Sequence, residues 1–232
     1  MPYTLREISE DLYLVTNPEG QVILNHLNKP VPPLSAQVAG ILCNDLNEIA
    51  GREHQLNESL VYCMISTMME LPEHQYDDMD IAPAIHWDRA FRLNPGPPKL
   101  LWEKAFLEKY KPLLKNAWVN LQLNYCSTLE EMEERGIPKV PEGLIYELNE
   151  IIDSLSNQEK FMTDLIFNFL DRFSITFSLF WVADLMDDEA LLDAYYIFHL
   201  CVHPDEADKD MRKYRSYQQQ RLRYLGDMKM AL

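Results

Sequence analysis

The stretch "HLCVHPDE", His199 to Glu206, gathers two imidazoles, a thiol and two carboxylates within eight residues, the side-chain types that hold zinc and other borderline metals. Whether they converge depends on the backbone. In a strand, His199, Cys201 and His203 would share a face; in a helix the two histidines share one and Cys201 points to the other side. The run leading in, through Ala190, Leu191, Ala194, Tyr195 and Phe198, has helical spacing, and Pro204 marks its end. The pattern predicts a helix capped by Asp187, with His203 at its negative end and His199 as a partly buried polar tip. HExxH is absent because Leu200 follows His199 where a glutamate base is needed. No metal is expected here; a metal-binding protein or metal-dependent enzyme using His199 and His203 stays as the alternative.

Other chemistry has less support. Seven glycines form no GxGxxG, no phosphate-binding loop and no GxSxG elbow, so nucleotide binding and serine hydrolysis lack the backbone they need. The acidic "YDDMD", with Asp77, Asp78 and Asp80, lacks the following glycine and distant bidentate glutamate of a calcium loop. Glu70 and His74 have helical spacing, but Pro72 lies between them. Cys43, Cys63, Cys126 and Cys201 are scattered and form no CxxC, which fits reduced thiols. The expectation is a protein with no catalytic residues and no cofactor.

Charge narrows the partners. The chain has 232 residues, 47% of them hydrophobic, and a formal net charge of -16 from 37 acidic against 21 basic residues. Nucleic acid and anionic membrane surfaces would be repelled. "MPYTLREISEDLYLV" has acidic residues where a secretory signal needs an apolar core, pointing to a bacterial cytoplasm. The most apolar window, Phe161 to Met186, is interrupted by Asp164, Asp171, Arg172 and Asp184, so it is expected as a helix at the centre of a helical domain and not as a membrane insertion. Met64, Met68 and Met69 share one helical face; they read as core or, alternatively, as the lining of a groove that holds another protein's apolar segment.

These features need elements to position them. "LYLVT" and "QVILN" flank "NPEG" and predict a β-hairpin, which alone is marginally stable and must pack on the downstream chain. After "KPVPP" the period becomes helical: Leu34, Val38, Ile41, Leu42, Leu46 and Ile49 mark one face, and Leu60 to Met69 another, between Asn57 and Pro72. Pro141 opens a further helix through Leu155, and a final helix is expected from Asp205 toward Gly226. The predicted fold is α+β but mostly α, with a small N-terminal β-hairpin region (1–32), helices and an irregular connection (33–96) and a larger helical domain (97–232).

The order of these pieces resembles a known family. "PEGQVILNHLNKPVPPLSAQVAGILCNDL", "LLWEKAFLEKYKPLL", "IPKVPEGLIYELNEIIDSL", "FSITFSLFWVADLMDDEALLDAY" and the terminal "YQQQRLRYLGD" follow the sequence of elements in the ATP synthase assembly factor 2, or "ATP-twelve", chaperones. Leu225 stands where that pattern has a tryptophan before Gly226. The resemblance implies a non-enzymatic chaperone with a protein client, the unassembled alpha subunit of F-type ATP synthase, whose apolar contact surface it shields. It further implies partner-binding roles for Tyr217, Gln218, Tyr224 and Asp227 on the last helix, and for Trp102. A generic helical adaptor subunit is the other alternative.

Overall fold

The structure is a computed structural model, and it describes residues 2–50, 58–70, 81, 88, 142–203 and 212–231. The segment "LLWEKAFLEKYKPLL" with Trp102, the acidic "YDDMD", His74 and Asp205 lie outside the described residues. Near the N-terminus, strands β1 (Thr4–Ser9), β2 (Leu12–Thr16) and β3 (Leu34–Ser35) form an antiparallel sheet in the order β1-β2-β3. With seven helices among the described residues, the chain is α+β and mostly α.

"LYLVT" is β2 as its pattern predicts, but its ladder partner is the upstream Thr4–Ser9 and not "QVILN". The reason lies in two asparagine side chains. Asn17 Oδ1 accepts from the N–H groups of Glu19 (3.1 Å) and Gln21 (2.8 Å), and Asn25 Oδ1 accepts from those of Leu27 (3.0 Å) and Lys29 (2.8 Å). Each asparagine closes a tight loop, and the residue three places on, Gly20 or Asn28, has φ of 79° or 59°. Only a short segment is left between the loops. It joins its neighbours through isolated bridges, Thr16 with Val22 and Leu24 with Pro30. The Ile23 N–H donates to Val15 O (3.1 Å) and the Val31 N–H to Ile23 O (2.9 Å), so Val15, Ile23 and Val31 stack as three buried rungs eight residues apart.

The chain divides into two compact units, Met1–Asp77 with Ser216–Leu232, and Asp78–Arg215. In the first, the sheet packs on helix α1 (Ala36–Ala50), which also meets α2 (Leu60–Glu70). Val38, Leu42, Leu46 and Ile49 bury the face that their spacing predicts, and Leu60, Val61, Met64 and Ile65 bury that of α2. Each such side chain contributes about 1.5–3 kcal/mol when fully buried. Asn47 fastens the strand end to α1 by imitating a neighbouring strand: its Oδ1 accepts from Tyr3 N–H (2.6 Å) and its Nδ2 donates to Tyr3 O (3.0 Å).

The second unit contains α3 (Glu142–Ser154), α4 (Asn157–Phe169), α5 (Ile175–Val182) and α6 (Asp188–Val202). The continuous helix expected over Phe161 to Met186 is broken. Asp171 and Arg172 both take left-handed backbone (φ 53° and 55°), the Arg172 N–H reaches back to Phe167 O (2.8 Å), and Ser174 recaps the chain by accepting from Phe177 N–H. All eight residues of α5 are buried. Its entry is fixed by buried Asp88, which accepts from Ser174 Oγ (2.7 Å) and from Thr176 N–H (2.9 Å). Trp181 Nε1 donates to Asp188 Oδ1 (2.6 Å), tying α5 to the first turn of α6. No helix among the described residues is long and apolar enough to cross a membrane.

Candidate functional site

The last helix, α7 (Arg212–Lys229), carries four of the five residues expected to bind a partner. It runs through Gly226, so that glycine does not end it. Gln218, Arg221, Leu222, Leu225 and Met228 recur at spacings of three and four and are buried in the first unit. Arg221 is the exception in type: its side chain and that of Asp45 are both 0% exposed, and the two form an ion pair.

The remaining contacts of Arg221 explain how a buried guanidinium is tolerated. Its second terminal nitrogen donates to Glu48 Oε2 (2.9 Å), and the rings of Tyr217 and Tyr224 lie 5.2 and 5.4 Å from its carbon, so that planar cation is flanked by two aromatic rings. Tyr217 donates to Glu58 Oε2 (3.0 Å) and Tyr224 to Glu48 Oε1 (2.7 Å). Ser59 Oγ donates to Asp45 and accepts from Tyr62 N–H (2.9 Å), joining the start of α2 to the same network. Two carboxylates and one guanidinium thus share one site.

Burial penalises the charged form of Asp45 and pushes its carboxyl up to about 6; Arg221 and the Ser59 hydrogen bond oppose the shift, while Glu48 adds to it. Burial likewise raises the Tyr217 phenol, assisted by Glu58, and pushes Tyr224 up to about 12, assisted by Glu48. Both phenols therefore stay neutral donors at ordinary pH.

Of the partner-binding candidates, Tyr217, Gln218 and Tyr224 are brought together on the faces of α7 that carry this network, Gln218 being fully buried and the tyrosines half-buried. Asp227 is exposed on the same helix, and Trp102 lies outside the described residues. Sequence reasoning misses Asp45, Glu48 and Arg221. The available signal is an arginine set among buried-face positions and bracketed by Tyr217 and Tyr224.

His199 lies on α6 and His203 caps its C-terminal end; the N-terminal cap is Asp187, whose side chain accepts from Ala190 N–H (2.8 Å). His203 closes that helix, its N–H donating to His199 O (2.7 Å), and the two rings sit 4.9 Å apart. They border a cavity of about 180 Å³ with Asp171 and Tyr195, whose hydroxyl donates to Asp171 Oδ2 (2.7 Å). Among the described residues, no group of three or more His, Cys, Asp and Glu is placed to hold a metal ion.

No family model and no curated protein matches the chain. A solved structure does: a point mutant of P. denitrificans Atp12p shares the fold with a TM-score of 0.56 over 99% of this chain and 94% of that one, at 12% sequence identity. An order of elements that resembles the "ATP-twelve" chaperones is thus accompanied by a likeness in three dimensions to a protein of that name.

Proposed function

We propose that this chain is a non-enzymatic assembly chaperone whose client is the unassembled alpha subunit of F-type ATP synthase. The observation that supports this reading above any other is the fold shared with Atp12p along nearly the whole chain. The excess of 16 negative charges suits a holder of protein surfaces, because it steers basic partners and keeps the complex soluble. It works in a soluble compartment, the cytoplasm of a bacterium, and takes no cofactor.

Client contact on α7 is assigned to the exposed Asp227 and to the outward edges of Tyr217 and Tyr224. Gln218 acts through the placement of the helix, since its side chain is 0% exposed. Shielding an apolar subunit surface requires large side chains surrounded by polar groups, and half-buried tyrosines hydrogen-bonded to glutamates have that character.

The test is co-expression of this chain with the alpha subunit of F-type ATP synthase from the same cell. The expected result is a soluble one-to-one complex, and an alpha subunit that precipitates when this chain is left out. An alpha subunit that is equally soluble alone and does not co-purify would end the reading.

A further inference from the structure

Helix α7 is held in the first unit by two kinds of contact. The aliphatic kind, through Leu222, Leu225 and Met228, is non-directional: leucine and methionine fill gaps of many shapes, and a helix resting on them alone can shift along its axis by one turn, about 5.4 Å, at modest cost. The polar kind is directional. One terminal nitrogen of Arg221 meets the Asp45 carboxylate and also donates to Asp45 O (3.3 Å), while the other donates to Glu48 Oε2 (2.9 Å). Asp45 and Glu48 stand three residues apart on α1 and so share a face, a spacing that the planar guanidinium fork bridges.

Stability does not account for this arrangement. A buried ion pair is in general no more stabilising than well-packed apolar residues of the same volume, because desolvating both charges offsets their attraction. What an apolar replacement lacks is a penalty for misplacement. If α7 slipped by one turn, Tyr217 or Leu225 would stand where Arg221 does, Asp45 would become a buried carboxylate without its cation, and the bonds of Tyr217 to Glu58 (3.0 Å) and of Tyr224 to Glu48 (2.7 Å) would break together.

We propose that Arg221 is a positioning residue: its fork on Asp45 and Glu48 fixes the axial and rotational register of α7 on α1, and thereby the face that α7 presents to a client. Tyr217 and Tyr224, four residues before and three after it, hold their rings 5.2 and 5.4 Å from its guanidinium carbon, so the same residue sets where their outward edges and the exposed Asp227 stand. That these groups meet the alpha subunit rests on the chaperone reading above; the register does not.

The test compares wild type with Arg221→Met/Asp45→Leu, in which apolar side chains replace the pair, by amide proton–nitrogen spectra, urea unfolding and alpha-subunit binding. The double variant should unfold at a higher urea midpoint than Arg221→Met alone, since no uncompensated carboxylate remains. Its amides from Gly226 to Lys229, more than a turn from the substitution, should nevertheless be displaced or give more than one resonance each, and the alpha subunit should bind about tenfold or more weakly. Amides of Gly226 to Lys229 at their wild-type positions overturn the proposal. If the double variant does not unfold cooperatively, Arg221→Lys decides: it keeps the charge without the fork and should displace or multiply the same resonances, and wild-type positions there overturn the proposal equally. Displaced amides with unchanged alpha-subunit binding overturn the positioning role toward the client. A wild type that binds no alpha subunit overturns the proposed function instead, while the spectra still decide the register.

Discussion

Arg221 holds together groups that could not otherwise be buried. Removing it leaves Asp45 as an uncompensated carboxyl at 0% exposure, so Arg221→Met should cost about 3–5 kcal/mol, read as a shift of the urea midpoint. The pH dependence of Asp45 has a definite sign. Its folded pKa, about 6, lies above the ordinary aspartate value of 3.8, so its contribution to stability is fully present below about pH 4 and is lost as pH rises through about 6. Asp45→Asn removes this titration. The stability of wild type relative to Asp45→Asn should therefore fall between pH 4 and pH 7, by on the order of 2–3 kcal/mol. A flat difference across that range would show that Arg221 holds Asp45 ionised throughout. Leu225, where the "ATP-twelve" pattern has tryptophan, is 0% exposed, so the larger side chain of Leu225→Trp must displace buried neighbours and should destabilise by about 1–3 kcal/mol.

The elements show what the sequence made legible. Helices with an apolar face and a clear punctuation residue were readable: α1 buries Val38, Leu42, Leu46 and Ile49 of its predicted face, although Ile41 is half-buried and Leu34 belongs to β3, α2 buries Leu60, Val61, Met64 and Ile65 while Met68 and Met69 stay half-buried, Asp187 caps α6 and His203 ends it. Three features were not. The break between α4 and α5 depends on left-handed backbone at Asp171, a residue that tolerates it, and at Arg172, which does not favour it, inside a run whose apolar content reads as continuous. The pairing of β1 with β2 was hidden because "TLREIS" is an exposed, polar edge strand without alternation, whereas "QVILN" is more strand-like by composition but confined between two loops. The buried ion pair joins residues 176 apart, and no local period announces such a partner. The eight-residue repeat of loops makes its own prediction. Gly20 has φ of 79° with open space around the position of a β-carbon, so Gly20→Ala should cost about 1 kcal/mol from backbone strain alone, whereas Asn28→Gly, at φ 59°, should be near neutral. Thermal midpoints of the two variants would separate these effects.

For the molecule as a whole, the first unit is built from both ends of the described chain, with Asp78–Arg215 intervening. Deleting Ser216–Leu232 removes Leu222, Leu225 and Met228 from the core and strips Asp45 of its cation, so the first unit should lose cooperative unfolding while the α3–α6 helices keep their circular dichroism. Charge acts at the same scale but on encounter and not on folding. With a net charge of -16, a basic surface on the proposed client would be attracted at long range and its association rate raised, and salt would remove that attraction as the screening length shrinks from about 10 Å at 0.1 M to about 3 Å at 1 M. Contacts already formed and desolvated are screened far less. Stopped-flow association with the alpha subunit should therefore slow by about tenfold or more over that salt range while the dissociation rate changes little. A dissociation rate that rises as steeply as the association rate falls would mean that exposed ion pairs, and not buried apolar contacts, hold the proposed client.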